Sequence, residues 1–594
     1  MRRAEDQTSG GRLGMARLAP VALILAVAAA ALAAGWGRWG SFVLDTGREL
    51  EWPRRILRGE RLYSDLRYYY GPLAPYLNAL LYRLFGVRLE VLATAGAATG
   101  VATALTLHAI AARFVGRWAA VAPAIGFVCV LAFAHLGPEG IFNFVLPYSF
   151  AATYGMLSAL LSLAFLLRHH DSGGAAPFAA SAAWLALAGL CKVEPLTPAL
   201  AAHGVFACAA LLSRRLRWLH VAGYAAAATV VGAVYGFLYA RTGPALFRDN
   251  LGGVLNPGSD HFIRQVMGLT DLRENLVAAA LSVAVLGCAS GVALGAAALA
   301  RSARLRPPAR AAVVAASGLA VLAFAASLSP DRPFRALPFL ALGAAGFWAL
   351  RWWRDLGSRT ESLPHLLLAV FTVAASLRIT FAATPAHYGF FMLAPALVWL
   401  GVFLFGDLRR LAPDSPWTRR AVAACGAALF VGNSAAATFS SSRFLAERTV
   451  HLSLPRGTVW LAPELLEPAA PFEQIARAPP ASSLLVLPHA AAINFLLERR
   501  GCADGMASHL PMEFYGGYRE AAVIARWERD PPDLVLWYKW IMRDMGDQLF
   551  GVTYAVEAGR WIRAHYEPVT DPYAPIVLLR RRPGAAQRAA PPAP

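Results

Sequence analysis

Apolar runs of about 20 residues recur from residue 18 to residue 440, separated by short arginine-rich linkers, and they constrain this chain more than any other feature. A run of that length crosses the roughly 30 Å hydrocarbon core of a bilayer as a helix. In lipid, a helix satisfies every backbone polar group within the segment itself. The pattern predicts a polytopic α-helical membrane protein with about 13 transmembrane helices. Composition agrees, with 57% hydrophobic and 15% charged residues, against about 25% charged in soluble chains. A net charge of +19 would suit a nucleic-acid partner. Here the basic residues stand in the linkers between apolar runs, as the positive-inside rule expects, so no nucleic-acid partner is implied. Nearly all of them are arginine; Lys192 and Lys539 are the lysines.

Orienting the runs by their arginines gives spans at about 18–36, 89–112, 118–136, 148–167, 176–191, 195–213, 218–239, 275–300, 311–328, 336–350, 363–383, 388–406 and 421–440. The basic linkers (Arg113 and Arg117; Arg214, Arg215 and Arg217; Arg301 to Arg310; Arg351 to Arg359; Arg409 to Arg420) then fall on one side. That side is cytoplasmic, together with the tail 1–17, and the C-terminal domain lies outside. Arg2, Arg3, Arg12 and Arg17 before an apolar run resemble a signal peptide with cleavage near Ala34. The run is long for that, and a retained first helix is expected. The Ala-, Arg-, Gly- and Pro-rich composition looks bacterial, so the expected location is the bacterial inner membrane.

The segment 441–582 reads as a soluble α/β domain, and 583–594 as a disordered tail. Strands are expected at 484–488, 532–538 and 575–580, and helices at 490–499 and 552–565. Of six cysteines, only Cys502 lies in that domain, so it has no internal disulfide. No Cys/His pattern suggests structural zinc. The outside loop 240–274 is amphipathic and carries Arg248, Asp249, His261 and Arg264.

The first outside segment, 37–88, is the most informative. It holds Asp45, then Pro53, Ile56, Gly59, Tyr63 and Asp65, then Tyr68-Tyr-Tyr-Gly-Pro-Leu-Ala-Pro-Tyr76. Its amphipathic pattern with Trp and Tyr fits helices lying flat on a membrane. An Asp just after the first span, followed by these two stretches, resembles the GT-C glycosyltransferases. That superfamily includes the protein O-mannosyltransferases and the lipid A aminoarabinose transferase. The resemblance spans nearly the whole chain: an Asp-bearing first outside loop, about a dozen spans and an outside C-terminal domain.

The resemblance implies transfer of a sugar from a polyprenyl-phosphate donor to an acceptor hydroxyl, with inversion. The acceptor would be lipid, glycan or protein. Such chemistry needs a carboxylate to take the acceptor's proton and cations to hold the departing phosphate. Asp45 matches the family's catalytic base, and partial desolvation at the membrane boundary would raise its basicity. It equally precedes Thr46-Gly-Arg-Glu49, a capping-box pattern. Asp65 is either a second carboxylate of the site or a turn residue after Ser64. Glu139, in the second outside loop, would orient the acceptor or is a solvated loop residue. Where the aminoarabinose branch has Glu-Lys-Pro-Pro-Leu, this chain has Tyr70-Gly71-Pro72-Leu73. The branch's acidic residue, and any metal site built on it, is absent, although a divalent cation stays open as a cofactor.

For the donor phosphate the candidates are Lys192, Arg378, His387 and Tyr388. Lys192 shares a turn with Glu194, where the two could form an interface ion pair. Arg378 reads as lying inside a span, where an arginine costs at least about 2.5 kcal/mol and suggests function unless it snorkels to the interface. His387-Tyr388 resembles the family's late phosphate-facing loop, or an aromatic belt. Arg332 and Arg335 are weaker candidates. No phosphate-binding loop for ATP, dinucleotide fingerprint or hydrolase motif occurs in a credible context. A transporter or flippase, a glycan polymerase or ligase, and a structural scaffold are the alternatives. A transporter would be expected to show internal repeats and broken midplane helices, and none is visible.

Overall fold

A computed structural model describes residues 2–41, 45–247, 260–355, 357, 359–463, 469–489, 491–501, 509–511, 520–542 and 545–583. Arg248, Asp249 and Cys502, and the expected tail from residue 584 on, lie outside the described residues. The chain divides into two compact units, one of residues 1–39, 94–234 and 266–445, the other of residues 40–93, 235–265 and 446–594.

The first unit is helical. Its labelled helices are α1 (Arg2–Gly35), α4 (Leu89–Val115), α5 (Val121–Phe127), α6 (Phe150–Ser172), α7 (Ala175–Gly189), α8 (Val193–Leu212) and α9 (Trp218–Thr242). Later helices run over Leu272–Ala300, Pro307–Ala326, Leu337–Arg354, Arg359–Ser376, Ala394–Val402 and Pro416–Glu447. Each of the 13 expected spans meets a helix, but among the described residues ten are long and apolar enough to cross a membrane. The other three have local reasons. The α5 helix gives way to a π-helical turn over Val128–Ala132, α7 has 15 residues, and Leu337–Arg354 carries Arg351 and Arg354 in its last turn. In Trp218–Thr242 and Pro307–Ala326 only 11% of the apolar window is buried. Apolar surface of that extent is stable against lipid rather than water.

Between these helices small polar groups act as glue. Ser162 Oγ donates to the Ser181 carbonyl (2.9 Å), and Nε2 of His203 lies 2.9 Å from Ser162 Oγ and 3.2 Å from Ser181 Oγ. The Tyr224 hydroxyl is 3.2 Å from His203 Nδ1. In a bundle where lipid is as apolar as the core, such bonds help fix which helix faces which.

The second unit opens with α2 (Thr46–Leu57) and α3 (Leu73–Phe85). The hairpin β1 (Val450–Leu454) and β2 (Gly457–Leu461) is antiparallel. Its turn receives the Leu89 N–H on the Arg456 carbonyl at 2.8 Å. A four-stranded sheet follows, in the order β3 (Leu484–Leu487), β4 (Leu534–Tyr538), β6 (Ile576–Arg581), β5 (Tyr566–Pro568). Strands β3 and β4 are parallel; the other pairings are antiparallel. Both β3 and β4 are buried throughout, as their unbroken apolar runs require. Side chains alternate between two cores. Leu485, Leu487, Val535, Trp537 and Val577 pack with Trp527 and Ile562, while Leu484, Val486, Leu536 and Leu578 pack with Ile475 and Ile493. The hairpin and β5 were not legible beforehand.

The expected surface-lying character divides between the two early helices. α3 leaves Tyr76, Leu77, Leu80, Leu84 and Phe85 exposed, the apolar stripe of an interfacial helix. In α2, by contrast, Thr46 through Arg54 are all buried. Its charges are tolerated because they pair: Arg54 with Glu51, and Arg55 with Glu60 at 2.5 Å.

Candidate functional site

Asp45 occupies the N-cap position of α2, yet its side chain makes no capping hydrogen bond. Beside it, Thr46 Oγ1 accepts the N–H of Ser41, which precedes the helix, at 3.0 Å. The Asp45 carboxylate instead meets Arg48 Nη1 at 3.2 Å, with His489 Nε2 3.7 Å from the same oxygen, Oδ1. The side chain is 14% exposed. The expectation of a simply desolvated carboxylate needs correction on this point, because Arg48 compensates it. Arg48 is itself buried, with Nε 3.4 Å from Glu49 Oε1. Burial opposes its charge, but Tyr70, Asp45 and Glu49 outweigh that, and its pKa is raised. Arg48 is therefore a permanent cation beside Asp45.

The Tyr68-Tyr-Tyr stretch holds that cation. The Arg48 guanidinium lies 5.8 Å from the Tyr69 ring centroid and 5.4 Å from that of Tyr70, within cation–π range. Tyr68 packs edge-on against Tyr70 at 5.4 Å. Two bonds lock the loop: Tyr63 OH to the Tyr70 carbonyl and Trp52 Nε1 to the Arg67 carbonyl, both 2.6 Å. Burial first, then Glu49, drives the Tyr68 pKa up, so this hydroxyl stays neutral.

Gly47 explains how α2 reaches His489. A Cβ on Gly47 would lie 2.1 Å from the Ala492 backbone nitrogen, so α2 sits directly on the Ala491–Leu496 helix. His489 stands just past the C-terminal end of β3, the side of an α/β sheet where ligands gather. It is 3% exposed. Neither ring nitrogen has a hydrogen-bond partner among the described residues. Sequence reasoning passed over His489; a histidine directly after a buried strand run was the available signal.

Asp65 is not part of this arrangement. It pairs with Arg61 (3.1 Å) and accepts the Arg61 N–H (2.8 Å), and Arg61 holds its carboxyl below the usual range. These are the contacts of a turn residue. Glu139, in the other unit, folds toward its own loop, its Oε2 2.7 Å from where a Gly137 Cβ would be, and no ion partner is found for it among the described residues.

In the first unit the structure gathers the four donor-phosphate candidates. Arg378 lies near the end of the candidate span Arg359–Ile379, as expected, in the 3₁₀ turn Leu377–Ile379 that follows the Arg359–Ser376 helix. There it pairs with Glu194. Glu194 also meets Lys192 Nζ at 3.2 Å. Lys192 Nζ lies 3.3 Å from the Tyr148 hydroxyl, which donates to the Tyr388 carbonyl at 2.6 Å. Among the described residues, Lys192 and Arg378 thus meet on one carboxylate, Glu194. Burial, then Arg378 and Arg335, pull the adjacent His387 down to about 4, so at neutral pH it is an uncharged donor or acceptor. Arg335 is committed elsewhere, to Asp331 at 3.2 Å and Asn275 at 3.0 Å.

Among the described residues no group of three or more His, Cys, Asp or Glu side chains is placed to hold a metal ion. The Arg48 cation beside Asp45 does not fit a divalent cation at that carboxylate.

No family model matches the chain, and no curated protein matches it. Among solved structures it is similar to ArnT from Cupriavidus metallidurans in the apo state, at 15% identity and a TM-score of 0.45 over 98% of this chain and 100% of that one. It is similar to the same protein bound to undecaprenyl phosphate, at 14% identity and a TM-score of 0.47 over 96% and 100%. It is also similar to the apo oligosaccharyltransferase of Archaeoglobus fulgidus, at 12% identity and a TM-score of 0.45 over 87% and 69%. The functional reading rests on the chain's own residues.

Proposed function

We propose that this chain is a membrane glycosyltransferase that moves a sugar from a polyprenyl-phosphate donor to an acceptor hydroxyl at the extracytoplasmic face of a bacterial inner membrane. The observation that carries this reading is the state of Asp45. It heads a helix without capping it, and its carboxylate is held between a fixed cation and a buried histidine whose ring nitrogens have no hydrogen-bond partner among the described residues, in the loop whose residues resemble the GT-C pattern. A capping residue would spend its oxygens on backbone N–H groups. In the proposed reaction Asp45 takes the acceptor's proton as the acceptor oxygen attacks the anomeric carbon. The bond from that carbon to the phosphate oxygen breaks, and polyprenyl phosphate leaves with inversion at the sugar. Lys192 and Arg378 supply positive charge for the phosphate, and His387 and Tyr388 supply hydrogen bonds; the meeting of both cations on Glu194 supports these roles. Glu139 is left as a group that orients the acceptor.

The test is turnover by the purified protein in nanodiscs with undecaprenyl-phosphate mannose, glucose and arabinose, an envelope extract serving as acceptor. Release of undecaprenyl phosphate is measured. Wild-type turnover that falls about a hundredfold or more in folded Asp45→Asn supports the reading. Turnover unchanged in the variant removes Asp45 as the base, and no turnover of any donor sinks the transferase reading.

A further inference from the structure

We propose that His489, from the C-terminal α/β domain, is the positioning residue that receives the proton Asp45 removes, so that a domain remote in sequence completes the base. The inference rests on the transferase reading above and adds a residue to it.

Three observations carry it. The first is the approach of His489 Nε2 to Asp45 Oδ1 at 3.7 Å, on the oxygen that also faces Arg48. Catalytic hydrogen bonds are often long before substrate binds and tighten in the complex. The second is the state of the imidazole. It is 3% exposed and both ring nitrogens lack a hydrogen-bond partner among the described residues. A buried N–H without a partner is costly, of order 1–3 kcal/mol, so such a group calls for an explanation. The third is the backbone contact that creates the pair. Gly47 lets α2 rest on the backbone of Ala491 and Ala492, two and three residues beyond His489. A larger residue at position 47 would hold the two apart.

The chemistry gives His489 a task. When Asp45 takes the acceptor's proton its ion pair with Arg48 is lost, and Arg48, a permanent cation, cannot accept a proton in return. A neutral imidazole can. The acceptor O–H proton passes to Asp45 Oδ1 as the new glycosidic bond forms and polyprenyl phosphate departs. It then passes from Oδ1 to His489 Nε2, giving an imidazolium and restoring the Asp45–Arg48 pair. Loss of the proton to water returns the neutral imidazole before the next turnover.

The test uses the full-length protein in nanodiscs with the same three undecaprenyl-phosphate sugars. His489→Gln is expected to lower kcat about ten- to a hundredfold while the donor KM stays within about twofold. The double variant with Asp45→Asn should be no slower than Asp45→Asn alone, since groups acting as a unit are not additive. Added imidazole should raise the kcat of His489→Ala, an effect a packing role would not give; this second variant also decides the matter if the glutamine protein does not fold. Wild-type kcat in folded His489→Gln overturns the inference while leaving Asp45 as base. So does a multiplicative double variant, or a His489→Ala protein that imidazole leaves unchanged. Absence of turnover by the wild type overturns the transferase reading, and the inference falls with it.

Discussion

Lys192 and Arg378 share the Glu194 carboxylate, and a phosphate entering their cluster would meet both cations. Hydrogen bonds to charged groups contribute about 1.5–3 kcal/mol. Lys192→Met is therefore expected to raise the donor KM about tenfold, with a smaller effect on kcat, in the release assay. Glu194→Gln keeps both cations and is expected not to weaken the donor. A loss in Glu194→Gln as large as that in Lys192→Met would instead mark the trio as a structural ion pair. Of these residues the chain order alone showed Lys192 beside Glu194. Arg378 reached the pair only through folding, because nothing local says where a helix ends when its last turn tightens to 3₁₀.

At the scale of elements, the position of the proposed base is set by how α2 meets the Ala491–Leu496 helix. Helices touch backbone to backbone only where a side chain is missing, and Gly47 supplies that gap. Gly47→Val would push two backbones apart, an overpacking that costs about 1–3 kcal/mol. The expected outcome is a lower thermal midpoint together with at least about a tenfold loss of kcat, measured on protein that still elutes as a single species. Gly47→Val with unchanged turnover would separate this contact from catalysis. The amphipathic reading of residues 46–57 missed this burial because a helix with paired charges has the same sequence pattern as one whose charges face water.

For the whole molecule, the arginine-rich linkers predict an N-terminus and basic loops in the cytoplasm and the α/β domain outside. A reporter active only outside the cytoplasm is expected to be silent when fused after Arg310 and active when fused after Asp331. The opposite result would invert the molecule and put Asp45 on the wrong face for an extracytoplasmic acceptor. Ten helices among the described residues are long and apolar enough to cross a membrane, whereas α7, with 15 residues, is short for a full crossing.

Hydrophobic length is a local property, and so the amino-acid pattern was enough to place this chain in a membrane, to say roughly where it crosses, to put an aromatic loop with Asp45 after the first span, and to expect a C-terminal α/β domain with strands at 484–488, 532–538 and 575–580, where the structure has 484–487, 534–538 and 576–581. The surroundings of Asp45 were not local. They depended on which groups meet its oxygens, and His489 and Asp45 stand on segments far apart in the chain that the packing at Gly47 helps bring together. The same holds for Arg378 and Glu194. Side-chain pairing across the fold follows from tertiary contacts that leave no periodicity in the chain, and only the folded structure decided it.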